Sequence, residues 1–589
     1  MGRTNHPLRC SASGCGTSRT FSTIKADIAF IKDLLDEFAK RGGDFWLSVW
    51  KRLKKSKIKK SIIQKFQWGA PVIASGLRPV QQRLSKLIVS QDNGFVHEAA
   101  LIKLAIELLT GKVSEHEAMP PLHVINIRQA QEAKKVSWLE IWKPEVELKC
   151  IVSEKGNLND PRFSSPIWLD DTKPDVEIIY WLGIILRSVA VASHDFTGSR
   201  WKKSTINGYK GLRTNWFKRR MGMMHAPEAL VGEYSTLSSW TAELLMTCLQ
   251  WPGFEASYIK HEEIKNIDGI KELTKVLKNR LIFLNSIRCK ASDMPALITQ
   301  VDRPVSTKKE RLFRLVTVQQ LLPRTKSFIG DPTLDNPITR AKNRDHLSSV
   351  CQLTYKTLTT KLKAEEGESN ISADLIVFSE IAVHPDDQDL IKRLADKTKS
   401  IILAGLILKD HNGKLVNTAR WFIPDYRDTG RQWIIRDQGK AFPTRIEKEL
   451  GVVGYKPCQH IIELHGISEG PFKITGAICY DATDLNLAAD LKGKTDLFVV
   501  VAHNKDVRTF DTMASALHYH MYQHVVVVNK GEFGGSTIQA PYTANFDKMI
   551  SHSHGGSQIS INVADLDLAA FRRADKVDHK EVKTKPAGL

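Results

Sequence analysis

The later half of this 589-residue chain reads as an α/β domain, and the half before it as a basic, mostly α-helical region. Three observations carry that division. Short apolar runs bounded by turns recur after residue 308 and alternate with helical segments, the pattern of buried strands and covering helices. Helix-period patterns dominate before it. The charge is also split unevenly: residues 1–310 carry 48 Lys+Arg against 32 Asp+Glu, a net of +16, and residues 311–589 carry 37 against 33, a net of +4.

Composition bounds the rest. With 42% hydrophobic and 25% charged residues, the chain can bury large cores, which excludes a mostly disordered protein. No apolar run approaches the roughly 18 residues of a membrane helix; the best, from Ile178 to Val191, is broken by Arg187. The N-terminus lacks the apolar stretch of a secretory signal. Eight cysteines without paired spacing suit a reducing cytoplasm, the expected location. Neither CxxC nor HExxH occurs, so a zinc site has no sequence support; no cofactor is expected.

In chain order, residues 1–66 are expected to form a basic helical segment. Ile24, Ile28, Ile31, Leu34, Leu35 and Phe38 recur at helical spacing between Thr23 and Lys40. The run from Lys51 to Lys60, with Lys54, Lys55 and Lys57, has seven basic residues in ten; it suits a nucleic-acid contact or, equally, a solvated helix face. Residues 67–307 form a mostly helical accessory region, clearest at Glu98–Leu109 and Ser238–Leu249, with a Pro-, Ser- and Asp-rich loop from Asp160 to Pro174. Residues 308–575 form the α/β domain. Its strands are expected at Arg311–Leu322, Leu375–Phe378, Ile401–Leu408, Lys473–Cys479, Leu497–Val501 and Val525–Val528, and helices at Leu390–Lys397 and Phe510–Tyr522. Residues 576–589 are expected to be a flexible tail.

Reactive side chains sit at the ends of these runs. Leu375 to Ser379 leads into Glu380, Ile474 to Ile478 leads into Cys479, and the intervening loop Arg436-Asp437-Gln438-Gly439-Lys440-Ala441-Phe442-Pro443-Thr444 presents Lys440. Loops at strand carboxyl ends are where α/β folds build sites. Singly, such residues are more often a small core thiol or surface charges.

Together and in this order they carry a resemblance. FSEIAVHP around Glu380, RDQGKAFPT around Lys440, GAICYD around Cys479, then DLFVVVAHN, ALHYHMYQHVVVVN and GGSTIQAPY make residues 311–575 similar to the carbon–nitrogen hydrolase (nitrilase) superfamily. The resemblance implies an α-β-β-α sandwich and a hydrolase of non-peptide C–N bonds, amide or nitrile. It implies Glu380 as general base, Lys440 as oxyanion-stabilising cation and Cys479 as nucleophile, with the Tyr480 N–H assisting. The Lys440 ammonium is expected to favour the thiolate. Glu447 takes the place of an additional carboxylate near Lys440; Glu449 competes for it, and both also suit a helix surface. His503, Asn504, Tyr519 and Asn529 fall where the family lines its pocket, although packing explains His503 and Tyr519 as well. Cys458 is expected to be structural. The residues after the nucleophile turn, Ala482-Thr483-Asp484, depart from the family's frequent aromatic or Arg, so the substrate stays open. Members associate readily, and a homo-oligomer is expected; a catalytically idle scaffold of the same fold is the alternative.

Before this domain, residues 208–221 interleave aromatics with Arg213, Trp216, Lys218, Arg219 and Arg220. Such a stretch suits RNA or DNA binding, or an amphipathic helix with a basic outer face. Asp170-Asp171 is not expected to be a polymerase site, because Pro174 closely follows and cannot continue a central strand. A basic helical region leading into such a hydrolase resembles the reverse-transcriptase–nitrilase fusion proteins of bacterial antiphage defence, with residues 209–254 similar to the region between their two enzymes. That resemblance implies a truncated or split relative working beside a separate reverse-transcriptase subunit.

Overall fold

The computed structural model describes residues 98–110, positions 179, 182, 183 and 186, residues 237–249 and, apart from short gaps, residues 259–589. Residues 1–66, the Asp170-Asp171 pair and the aromatic–basic stretch 208–221 lie outside the described residues. So do Lys54, Lys55, Lys57, Arg213, Trp216, Lys218, Arg219 and Arg220.

Two sheets form the centre of the α/β domain. One has six strands in the order β13-β2-β3-β4-β5-β6 and the other seven in the order β1-β7-β8-β9-β10-β11-β12. In the first are β2 (Phe313–Gln319), β3 (Leu375–Phe378), β4 (Ile401–His411), β5 (Lys414–Arg427), β6 (Gly430–Gly439) and β13 (Ser560–Leu566). The second holds β1 (Ala296–Asp302), β7 (Gln459–His465), β8 (Phe472–Ile478), β9 (Leu497–Val501), β10 (His524–Val528), β11 (Gly534–Gln539) and β12 (Met549–His554).

Side-chain alternation explains why the expected strands read as unbroken apolar runs. Leu375 and Val377 of β3, with Ile401 and Leu403 of β4, pack inward onto Ile474, Val499 and Val526 of the other sheet. Ile376 and Phe378, with Ile402 and Ala404, point outward onto Leu347, Val350 and Leu358 of the helix Pro337–Glu366 and Ile391 and Leu394 of the helix Gln388–Thr398. A strand buried on both faces has no polar side to show. The opposite sheet is covered by the helices Leu485–Leu491 and Val507–His520 through Leu487, Leu491, Phe510, Ala514 and Leu517. Helix, sheet, sheet and helix layers follow, an α-β-β-α sandwich as expected.

The accessory helices that are described attach directly to this sandwich. Here α1 denotes Glu98–Thr110, α2 Ser239–Leu249 and α3 Ile270–Ile287. Buried Glu98 of α1 meets Arg280 of α3 at 2.7 Å and accepts the Ser238 N–H at 2.8 Å. Farther on, Asp490 accepts the N–H groups of Lys290, Ala291 and Ser292 and the Ser292 hydroxyl at 2.8–3.0 Å.

Three expectations are corrected. The boundary at 307/308 comes too late for the sheet, because β1 pairs in parallel with β7, Ala296 opposite Gln459 through Asp302 opposite His465; a single edge strand left little periodicity to read. Residues 436–439, expected in a loop, end strand β6, and Lys440 follows at once. The flexible tail is overturned for residues 581–589. Thr543 N–H donates to Glu581 O at 2.8 Å, Lys583 N–H to Pro541 O at 2.9 Å, and Val582 packs against Tyr522, Ala540 and Phe571. Among the described residues, no helix is long and apolar enough to cross a membrane.

Candidate active site

Three strand ends bring the site together. Glu380 lies just past β3, Lys440 directly past β6, and Cys479 directly past β8. The first two belong to one sheet and the third to the other, so the site forms where the sheets face each other. Cys479 takes a left-handed backbone (φ 47°), as does Ile381 beside Glu380 (φ 57°). Each such conformation costs a non-glycine residue about 1–2 kcal/mol and persists only where the surroundings impose it, commonly at functional sites.

The four ionisable groups are buried together. Lys440 Nζ donates to Glu380 Oε1 at 2.9 Å and to Glu447 Oε2 at 2.7 Å. An ammonium has three N–H bonds, so one remains for another acceptor. Cys479 shares a side-chain hydrogen bond with Glu380, and the His503 backbone N–H reaches the Cys479 sulfur. Glu380 is 1% exposed, Lys440 2% and Cys479 5%, so their charges act through little water.

Burial and the charge of Glu447 raise the Glu380 carboxyl above its ordinary range, against the pull of Lys440. Burial also opposes charge on Glu447 and Lys440, but their mutual attraction prevails. Glu447 is held low, helped by hydrogen bonds from Asn417 and Thr444, and Lys440 well above the usual lysine range. Burial and the Glu380 charge push the Cys479 thiol well up. Lys440 pulls the thiol down, as expected, but does not outweigh burial and Glu380, and the resting sulfur keeps its proton. Burial likewise raises the thiols of Cys248 and Cys351, to about 12.

Glu447 takes the place for which Glu449 competed. Glu449 pairs with Arg445 on the surface at 3.0 Å, whereas Glu447 is turned inward by a capping box with Thr444, accepting from the Thr444 N–H and hydroxyl at 2.8 Å each. The Thr-x-x-Glu spacing at 444–447 is the sequence signal for that geometry. Cys458 is fully buried and unrelated to the cluster, its thiol donating to Gln459 O at 3.6 Å.

Sequence reasoning missed two groups. Asn417 on β5 bridges the carboxylates, its amide donating to Glu380 Oε1 at 2.7 Å and Glu447 Oε1 at 2.6 Å. Asp481 accepts the N–H groups of Ala441 and Phe442 at 2.7 and 2.8 Å, tying the turn after the nucleophile to the turn after Lys440. Neither partner set is near in sequence, and no local pattern announces either residue.

The remaining expected residues separate. Tyr480 is the second residue of the 3-10 turn Cys479–Thr483, whose leading N–H groups have no partner within the turn. Its half-exposed ring borders a cleft of about 550 Å³ with Pro443, Thr444, Arg445, Lys448 and Glu449. His503 sits beside the sulfur with its ring stacked on Phe533, centroids 6.5 Å apart. Asn504 and Asn529 hold the framework: Asn529 Nδ2 donates to Asn504 O at 2.6 Å and Gly534 O at 2.7 Å, and its Oδ1 accepts the Asn504 N–H at 2.9 Å. Tyr519 is placed elsewhere, on the helix Val507–His520 beneath Lys583 of the C-terminal segment, 5.6 Å from its ring; helix phase turns it from the site.

Among solved structures, the chain is similar to the CN-hydrolase superfamily protein XC1258 of Xanthomonas campestris (16% identity over 45% of this chain and 95% of that one, TM-score 0.31). It is similar also to Nit3 of Saccharomyces cerevisiae, a nitrilase superfamily member (15%, 46% and 98%, TM-score 0.32). An amidase from Nesterenkonia sp. is a third (12%, 45% and 94%, TM-score 0.32). Neither a family model nor a curated protein matches the chain.

Proposed function

We propose that the protein is a cysteine-dependent hydrolase of non-peptide C–N bonds. The observation that carries this is the buried Lys440 ammonium within 2.9 Å of both Glu380 and Glu447, with Cys479 hydrogen-bonded to Glu380. Burying four ionisable groups is costly unless they are matched, and a scaffold has no use for a thiol facing a base. In this reading Glu380 takes the Cys479 proton as sulfur attacks an amide or nitrile carbon. The third N–H of Lys440 and the Tyr480 N–H hold the developing negative charge. For an amide, Glu380 returns the proton to the departing amine, leaving a thioester. It then deprotonates the water that releases the acid and restores the thiol. Incubated with small amides and nitriles, the protein should form a mass-detectable adduct on Cys479 and release ammonia. Cys479→Ala should abolish both; turnover unchanged in that variant would refute the assignment.

Asp481 makes the reading pH-sensitive. Burial raises its carboxyl to about 6 despite its two N–H donors. Once protonated it can no longer accept both, and the Lys440 turn loosens. Activity should be present above about pH 6 and fall as pH drops through that value. Asp481→Asn, which cannot titrate, should remove that limb from a profile of kcat/KM between pH 4 and 9. A wild-type profile flat down to pH 5 would contradict this role.

For the first half, we propose binding to single-stranded nucleic acid beside a separate reverse-transcriptase subunit, supported by the net +16 of residues 1–310 and the basic–aromatic stretch 208–221. Counterion release makes such binding weaken steeply with salt. Neutralising Arg213, Lys218, Arg219 and Arg220 should lower the salt slope by about one for each lost phosphate contact. No anisotropy change with RNA or DNA at low salt would rule this out.

A further inference from the structure

We propose that His518, Lys548 and Lys583 bind a phosphate group, and that the bound phosphate fastens the C-terminal segment to the domain. The site lies where β10 begins, His524 beside Leu497 of β9, whereas Cys479 lies where the strands end, past Ile478 beside Val501. It is independent of the reaction at Cys479.

The starting point is a pair of buried imidazoles. His518, in the last turn of the helix Val507–His520, and His524, the first residue of β10, are both 0% exposed. None of their four ring nitrogens has a hydrogen-bond partner, a state that native proteins seldom leave unmet. His524 is flanked by rings, with Phe571 at 5.0 Å and Tyr542 at 6.2 Å between centroids. His518 faces charge instead: Lys548 and Lys583 both act on it.

Backbone bonds hold those two lysines to one segment. Ala540 N–H donates to Lys548 O at 3.0 Å, and Lys583 N–H donates to Pro541 O at 2.9 Å. The Tyr522 hydroxyl, between the helix and β10, donates to Lys583 O. The Lys583 ammonium lies 5.6 Å from the ring of Tyr519, the residue after His518. Three pieces of chain therefore converge: the end of the helix Val507–His520, the short helix Asn545–Lys548 before β12, and the C-terminal segment.

The charge at this point is one-sided. Among the described residues neither lysine has an ion-pair partner. Asp567 is engaged by Arg573, and the exposed Asp547 and Glu581 act on Tyr542. Burial and the Lys548 charge hold the Lys583 ammonium below the usual lysine range, and burial and both lysines hold His518 down at about 4. Nor does the helix end need these cations. Its Leu517, His518 and Tyr519 carbonyls already accept the N–H groups of Met521, Gln523 and Tyr522 at 2.8, 3.1 and 3.1 Å. Water could satisfy the ring nitrogens, but it would leave two like charges together. A phosphate meets both needs, because its oxygens accept from imidazole and ammonium alike and its charge approaches −2. A carboxylate carries about half that charge.

The experiment uses the full chain, as wild type and with Lys548→Met, Lys583→Met or Lys583→Arg, in buffers of matched ionic strength. Inorganic phosphate and glycerol phosphate are titrated by calorimetry, with chloride as the control. Hydrogen exchange follows the Lys583 and Thr543 amides, which bond between the C-terminal segment and the domain. Wild type should bind phosphate, and at ten times its Kd both amides should exchange about 10-fold more slowly. Each Met variant should weaken phosphate binding by about 10-fold or more, the worth of a charge-assisted hydrogen bond, and Lys583→Arg should keep most of it. In phosphate-free buffer the Met variants should melt at or above the wild-type temperature, because a like charge has been removed. Glycerol phosphate bound as tightly as phosphate would identify the ligand as a phosphate ester, and phosphate bound alone would identify the free ion; either result supports the site. Phosphate acting no differently from chloride, or binding the Met variants as tightly as wild type, would overturn it. Met variants less stable than wild type without phosphate would show that the lysines themselves hold the segment, and would overturn it as well.

Discussion

Lys440→Met is expected to cost both the fold and the chemistry. Lys440 is 2% exposed and stands between Glu380 at 2.9 Å and Glu447 at 2.7 Å. Removing it leaves two buried carboxylates bridged by a single Asn417 amide, and breaking a buried ion pair from one side typically costs roughly 3–5 kcal/mol. The loss should depend on pH. Without the ammonium, both carboxyls would be raised in the folded state above their unfolded values near 4.3. A raised carboxyl contributes stability that is present below the unfolded value and lost as pH rises through the folded one. Urea unfolding of Lys440→Met should thus show a deficit that is larger at pH 8 than at pH 5. Adding Glu447→Gln should recover part of it, because one of the two opposed charges is gone. Turnover should fall by about 10²–10³ or more, the scale of losing one oxyanion donor, and the double variant should not restore it. A Lys440→Met protein as stable as wild type at both pH values would show that these groups are not coupled as their distances require.

The second large effect is expected at a residue with no chemistry of its own. Gly405 on β4 passes so close to the Glu380 turn that a Cβ there would stand 2.4 Å from Glu380 Cα, 2.6 Å from Ser379 O and 2.8 Å from Ile381 N. All three are backbone atoms, so no rotamer change relieves the contact. The backbone in question is already bonded to Gly405, whose N–H donates to Ser379 O at 3.2 Å and whose carbonyl accepts the Ala382 N–H at 2.9 Å. Gly405→Ala must push the left-handed Ile381 turn away and carry Glu380 from Lys440 and Cys479. Overpacking of this kind costs roughly 1–3 kcal/mol, and more where backbone must move. Activity should fall further than stability, because a displacement near 1 Å at a reacting group can cost about 10²-fold. Near-wild-type turnover in Gly405→Ala would mean that the Glu380 turn is less confined than these contacts imply.

Local sequence was enough for the elements that lie at the centre of the sandwich. Leu375–Phe378 and Leu497–Val501 begin and end where their apolar runs do, because strands buried on both faces leave uninterrupted hydrophobic signatures. The strands at 414–427, 430–439 and 459–465 escaped that reading. They mix charged and polar residues such as Arg420, Arg436, Gln438 and Gln459 into buried positions. Those side chains are satisfied by partners distant in sequence: Arg420 by Asp437 at 2.5 Å, Arg436 by Leu237 O at 2.8 Å and Gln459 by Thr475 at 2.6 Å.

The same division runs through the site. Glu380, Lys440 and Cys479 could be named from the sequence because each follows a short stretch that sets its place in the chain and resembles a known motif. The protonation of Cys479 could not. A thiol's charge depends on the dielectric around it and on which charges are already paired, and both arise only when two sheets close over one another. Asn417, Asp481 and Gly405 likewise act through atoms 30 to 40 residues away or through backbone that passes within 3 Å.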